Sequence, residues 1–119
     1  MSITTTAPYI SSEAAIFYQR GESLDFVNSG NDAIPANTII GLCERIGVAG
    51  TEIKPGETGS VMVAGTYVLP KSSSNAIEIG VAVYFDGDGI TETSTNNVPA
   101  GFAAAAAKAA DDTILVKIG

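Results

Sequence analysis

Histidine and tryptophan are missing from this 119-residue chain, and cysteine occurs once. Without histidine, neither a Ser-His-Asp nor a Cys-His catalytic set can form, and Cys43 would be the one soft ligand for zinc. A lone cysteine excludes an intrachain disulfide, and its context, IIGLCERIG, predicts a buried, inert thiol. Basic residues are scarce. Arg20, Arg45, Lys54, Lys71, Lys108 and Lys117 face thirteen acids, leave a net charge of −7, and never stand side by side. Nucleic-acid binding draws most of its affinity from clustered Lys and Arg on phosphates, so no nucleic-acid partner is expected. An acidic surface is likewise repelled by anionic lipid. Long apolar runs are lacking too. None spans a bilayer, and the N-terminus has no basic region followed by an apolar core, so a soluble, reducing compartment without a membrane partner is expected.

Apolar residues make up 45% of the chain, an ordinary share, whereas charged residues make up only 16%, against about 25% in typical globular domains. Two readings stay open: some apolar surface ends against another chain, or a β-protein rich in Gly and Ala simply has few charged positions. The length suits one domain with a real core.

The stretch GETGSVMVAGTYVLPK, residues 56–71, sets the grammar of the chain. Val61 and Val63 fall on one strand face, and Ser60, Met62 and Ala64 on the other. Gly65 interrupts, and residues 66–69 resume. A Gly inside a strand pattern marks a bulge or a close backbone approach. Similar short segments occur at residues 14–19, 23–27, 38–42, 44–48, 77–85, 90–93 and 113–118, separated by turn chemistry such as NSGND and DGDG. Leu24 and Phe26 share a face, as do Val81, Val83 and Phe85, and Ile114, Val116 and Ile118. Seven to nine short strands predict an all-β, single-domain β-barrel or β-sandwich of antiparallel strands. No exact internal repeat is visible. Residues 1–12, rich in Thr and Ser, read as an N-terminal arm ahead of a domain over residues 13–119. The arm is either a loose tail or an extended segment that adds a strand to a neighbour. The Ala run at residues 103–110 is ambiguous. Ala favours helix, with Asn97 and Pro99 placed to start one, but only Phe102 would anchor it, and a strand of small side chains is preferred.

Motifs for chemistry are weak. GETGSV lacks the Lys of a phosphate loop, and no GxGxxG follows a strand. Asp86, Asp88 and Glu92, with Asp111 and Asp112, form the best calcium candidate, but the EF-hand spacing fails and a carboxylate-rich turn explains them. Nothing selects a carboxylate pair for glycoside hydrolysis. No catalytic residue, metal ligand or cofactor is assigned, and no enzyme activity is expected.

Four landmarks in order carry a resemblance over residues 16–118: IFYQRGESLDF; AIPANTIIGL; PGETGSVMVAGTYVLPK with GVAVYFDGDGITET; and GFAAAAAKAADDTILVKI. Together they resemble the small β-rich capsid cement, or head decoration, proteins of tailed bacteriophages. Members often carry a label as RecA/RadA-type recombinases, which this chain cannot support without a phosphate loop, a magnesium carboxylate or a large α/β core. The resemblance implies that the Ala run is the penultimate strand. It also implies a structural virion protein, made in the host bacterial cytoplasm and bound to the outer surface of the capsid, across the major capsid protein subunits of the head. It further implies stabilisation of the head against packaged DNA, and a homotrimer. The expected capsid contact is the arm, through Ile3, Thr4, Thr5, Thr6, Pro8, Tyr9 and Ile10. The expected subunit interface is Tyr67, Val68 and Leu69 with Phe102, Ala104 and Ala106. The rival reading is a virion-surface module that binds glycans or the host.

Overall fold

A computed structural model describes residues 21–119. The described residues form nine strands and no helix: β1 (Ser23–Val27), β2 (Ile39–Gly41), β3 (Ile46–Ala49), β4 (Thr58–Met62), β5 (Thr66–Pro70), β6 (Ala82–Phe85), β7 (Ile90–Thr91), β8 (Val98–Ala103) and β9 (Thr113–Lys117). They make two antiparallel sheets, ordered β1-β4-β3-β2 and β5-β9-β8-β6-β7. The sheets do not close into a barrel, so the sandwich is the form adopted. Its main core joins Ile46 and Val48 of the first sheet to Leu69, Val83, Ile90, Ile114 and Val116 of the second. The strand expected at residues 14–19 lies outside the described residues.

The second half of the chain repeats the topology of the first. β1, β2, β3 and β4 correspond to β5, β6, β8 and β9, with the same neighbours in each sheet. Antiparallel bridges stand at equivalent places, Ile34 with Ile53 and Ile77 with Ala107. One step along the chain carries Ser23, Ile34 and Ile39 to Thr66, Ile77 and Ala82. A longer step carries Val48, Ala49 and Ile53 to Phe102, Ala103 and Ala107, because β7 and its turns are inserted in the second half. The repeat is structural. At the sequence level it survives in short echoes, Ala33-Ile34 with Ala76-Ile77, and Gly47 and Ala49 with Gly101 and Ala103.

The same turn recurs before several strands. The N–H of Thr38, Glu57, Val81 and Asn97 donates to the carbonyl three residues earlier, at 3.0 to 3.3 Å. The residue ahead of each donor, Asn37, Gly56, Gly80 or Asn96, has positive φ. That is the type II pattern, which Gly and Asn tolerate, with Pro55 presetting one copy. Carboxylates reinforce two matching turns: the Lys54 N–H donates to Glu57 Oε1 (3.0 Å), and the Lys108 N–H to Asp111 Oδ2 (2.8 Å). A buried polar side chain also follows the first strand of each half. Asn28 Nδ2 donates to the carbonyls of Ile53 (2.9 Å) and Asp32 (2.8 Å). Lys71 Nζ donates to the carbonyls of Ser73 (2.6 Å) and Ala109 (3.3 Å).

Several expectations change. Gly65, with φ of 117°, is no bulge within one strand; it is the joint where the chain leaves the first sheet for the second. The Ala run is neither a helix nor one strand. β8 ends at Ala103, the chain turns, Ala107 makes a single bridge, and Ala109-Ala110 turns again. Cys43 is exposed rather than buried. It occupies the β2–β3 turn with φ of 66°, where the Leu42 N–H donates to the Arg45 carbonyl, so its apolar neighbours in sequence point into the sheet without it. Val83 and Phe85 share the core face as read, while Val81 precedes β6 and is exposed. The register shift between Val83 and Tyr84 is taken up by an extra residue, Ala100, in β8. The DGDG hairpin forms as read, joining β6 to β7.

Candidate interaction surfaces

The register of the second sheet fixes which side chains share a face. Thr66, Lys117, Phe102 and Ala82 are successive cross-strand partners over β5, β9, β8 and β6. Directly paired residues project to the same side, so these four form one row across the sheet. Val68 and Leu115 form the next row, extended by Ala104, whose N–H donates to the Leu115 carbonyl (2.8 Å). Pro70 and Thr113 form a third. The other side of the same strands carries Tyr67, Val116 and Ala103, then Leu69 and Ile114. Val116, Ala103, Leu69 and Ile114 are all buried.

The six residues expected at a subunit interface therefore divide. Val68 and Phe102 stand on the outer face and are 68% and 44% exposed; Ala104 lies beside them, half-buried. Leu69 belongs to the core, and Tyr67 packs against that core with its hydroxyl 3.4 Å from the Ala64 carbonyl. Ala106 is exposed in the turn after β8. Residues 3–10, expected to contact the capsid, lie outside the described residues. Leu115 and Lys117 complete the outer face, and sequence reading missed both. The signal was present in β9, TILVK, where apolar residues occupy both alternating sets rather than one.

A groove of about 310 Å³ opens between the two halves, lined by Thr38 and Ile39 beside β2, by Val68 and Pro70 of β5, and by Phe85 and Asp88. No acid pair converges on it. Of the carboxylates weighed for calcium, Asp86, Asp111 and one oxygen of Glu92 accept local hydrogen bonds, while the buried Glu92 Oε2 has no hydrogen-bond partner. Asp86 Oδ1 accepts the N–H groups of Asp88 and Gly89, both at 2.9 Å, and Oδ2 accepts the Ser72 hydroxyl at 2.6 Å. The Ser72 bond, joined by the backbone N–H groups, holds Asp86 below the ordinary Asp range. Glu92 Oε1 accepts Asn75 Nδ2 at 2.8 Å, and this bond, with Ser73 and the Lys71 charge, holds Glu92 below the ordinary Glu range. Among the described residues no group of three or more His, Cys, Asp or Glu is placed to hold a metal ion. The geometry offers surfaces for contact, and its polar groups serve turns.

Comparison with protein families settles the class. The model of the phage cement proteins matches residues 18–118. The chain belongs to the phage cement protein family. No curated protein and no solved structure matches it. Membership assigns a structural role in the phage capsid, consistent with a fold whose buried groups maintain strands and turns. No helix among the described residues is long and apolar enough to cross a membrane.

Proposed function

We propose that this cement protein decorates the outer surface of the phage head, binding across joints between neighbouring major capsid protein subunits and stabilising the shell against the pressure of packaged DNA. The observation that carries the reading is the family match over residues 18–118. The open apolar face of the second sheet supports it, since a face of Val68, Leu115 and Phe102 suits burial in an assembly.

The mechanism is linkage. A ligand that binds the assembled lattice and not separated subunits stabilises the lattice by RT ln(1 + [L]/Kd), about 2.7 kcal/mol per site at a hundredfold excess over Kd. Copies on a symmetric shell repeat this at every site. A homotrimer on local three-fold positions would touch several capsid subunits at once, since closed symmetry repeats each contact. The proposed capsid contact is the arm, through Ile3, Thr4, Thr5, Thr6, Pro8, Tyr9 and Ile10.

The test is co-sedimentation with undecorated, expanded heads. Full-length protein should pellet with heads to a saturable stoichiometry, and a chain lacking residues 1–12 should stay in the supernatant while keeping its far-UV spectrum and melting transition. Equal pelleting of both chains would remove the arm from the contact. Failure of the full chain to pellet would remove the decoration role and favour a glycan- or host-binding module.

A further inference from the structure

We infer that the groove between the two halves receives an extended segment of a major capsid protein subunit. The segment pairs as an added strand with the free edge of β5 and sets a basic side chain against Asp88. This rests on the decoration reading above and names where the capsid is gripped.

Main-chain direction gives the first argument. β5 is an end strand of the second sheet. The Ile118 N–H donates to the Gly65 carbonyl (2.9 Å), and the Lys71 N–H donates to the Asp112 carbonyl (2.8 Å). Antiparallel partners alternate between bonded and non-bonded pairs, so Tyr67 with Val116 and Leu69 with Ile114 are the bonded pairs. Val68 and Leu115 form a non-bonded pair, and Leu115 turns its carbonyl to the Ala104 N–H instead. Thr66, Val68 and Pro70 therefore aim their main-chain groups off the sheet. Among the described residues neither Thr66 nor Val68 meets a main-chain partner there.

The second sheet also leaves room for a strand. It curls until its two ends touch: Lys71 makes a parallel bridge with Ile90, and the Ser72 N–H donates to the Ile90 carbonyl (3.0 Å). Short of that touch the ends part, and the groove of about 310 Å³ opens beside Val68 and Pro70. Ile39 and Phe85, both packed against the core, give it apolar walls.

The internal repeat separates this edge from its counterpart. The step that carries Ser23 to Thr66 carries Asp25 of β1 to Val68 of β5. Asp25 is exposed, and a charge there guards a strand edge against added strands. Val68 is 68% exposed and uncharged. Pro70, at the far end, is the one residue that blunts β5.

Charge selects the occupant. Among the described lining residues Asp88 is the one charged group, and the chain around it is net −7. Both favour a segment that carries Lys or Arg. Residues 1–19 contain neither, so the arm of this chain offers no such match.

The test is the affinity of the full chain for undecorated, expanded heads, with amide exchange of the chain free and bound. Val68→Pro deletes an N–H outside the β5–β9 ladder, and Asp88→Lys reverses the charge. Each should weaken binding more than about tenfold, whereas Val68→Thr, which keeps the N–H, should bind as wild type does. Melting curves will show whether Val68→Pro stays folded; if it does not, Asp88→Lys and the amide readout decide. The Thr66 and Val68 amides should exchange fast in the free chain and slowly on heads. Heads that bind wild type and both variants equally would overturn the inference and leave the decoration role standing. Slow Val68 exchange in the free chain would overturn it too, by showing the edge already paired with the chain's own residues. Wild type that fails to bind heads would remove the decoration role and this inference together.

Discussion

Two halves of one chain share strand order, bridge positions and turn type, yet place the same row of side chains in opposite surroundings. Val48 in the first half is enclosed by the second half, whereas Phe102, its equivalent, is 44% exposed. The second half covers the first half's row, while among the described residues nothing covers the equivalent row of the second. The acids of the second half lie outside β5, β6, β8 and β9, in its turns and loops.

The sharpest way to break the comparison is to put the same charge at both equivalent positions. Val48→Asp should prevent folding or cost more than about 3 kcal/mol, because an ionised carboxylate would be buried without a partner. Phe102→Asp should cost less than about 1 kcal/mol of monomer stability. Urea denaturation of both variants reads the difference, and equal losses would mean that the two faces are not differently covered.

Gly101 provides the next effect. Its φ is 122°, and a Cβ there would run into the Lys117 carbonyl oxygen. Gly101→Ala should cost at least about 2 kcal/mol through strain and the separation of β8 from β9. A midpoint unchanged in urea would contradict the close approach.

Asn28→Ala comes third. It removes three side-chain bonds, those donated to the Asp32 and Ile53 carbonyls and the one accepted from the Gly30 N–H, at a cost of about 1 to 3 kcal/mol. The matching change in the other half, Lys71→Ala, should loosen the loop over Ser73 and Ala109, seen as faster amide exchange there. Comparable slowing or no change at either site would separate the two braces functionally.

Acidification should give a smaller effect. Asp86 and Glu92 both have pKa values lowered in the folded chain. Their hydrogen bonds therefore contribute stability that is present above the unfolded carboxylate range and is lost as pH falls toward the folded values. Melting temperature should decline below about pH 4, and Asp86→Asn should reduce that decline. A melting temperature flat from neutral to strongly acid pH would contradict the assignment.

The strands were largely legible in the sequence because period-two alternation and Gly- or Asp-rich turns are local signals. Residues 23–27 and the DGDG hairpin fall where those signals put them. The duplication was not legible, because the β7 insertion shifts the second half of the repeat and few identities remain, such as Lys54 with Lys108. Cys43 was misread because its neighbours are apolar, whereas burial in a tight turn follows backbone direction. The outer face was half legible. Val68 and Phe102 could be named from their chemistry, but separating them from Leu69 and Tyr67 required the pairing of β5 with β9. The role of the arm stays with its sequence, which is polar with Ile3, Tyr9 and Ile10 available for burial.

The decoration role itself is tested most directly by calorimetry of purified, expanded heads titrated with the protein. The account predicts that the melting transition of the heads rises with added protein and levels off once the sites are filled. Heads that melt at the same temperature with and without saturating protein would contradict it.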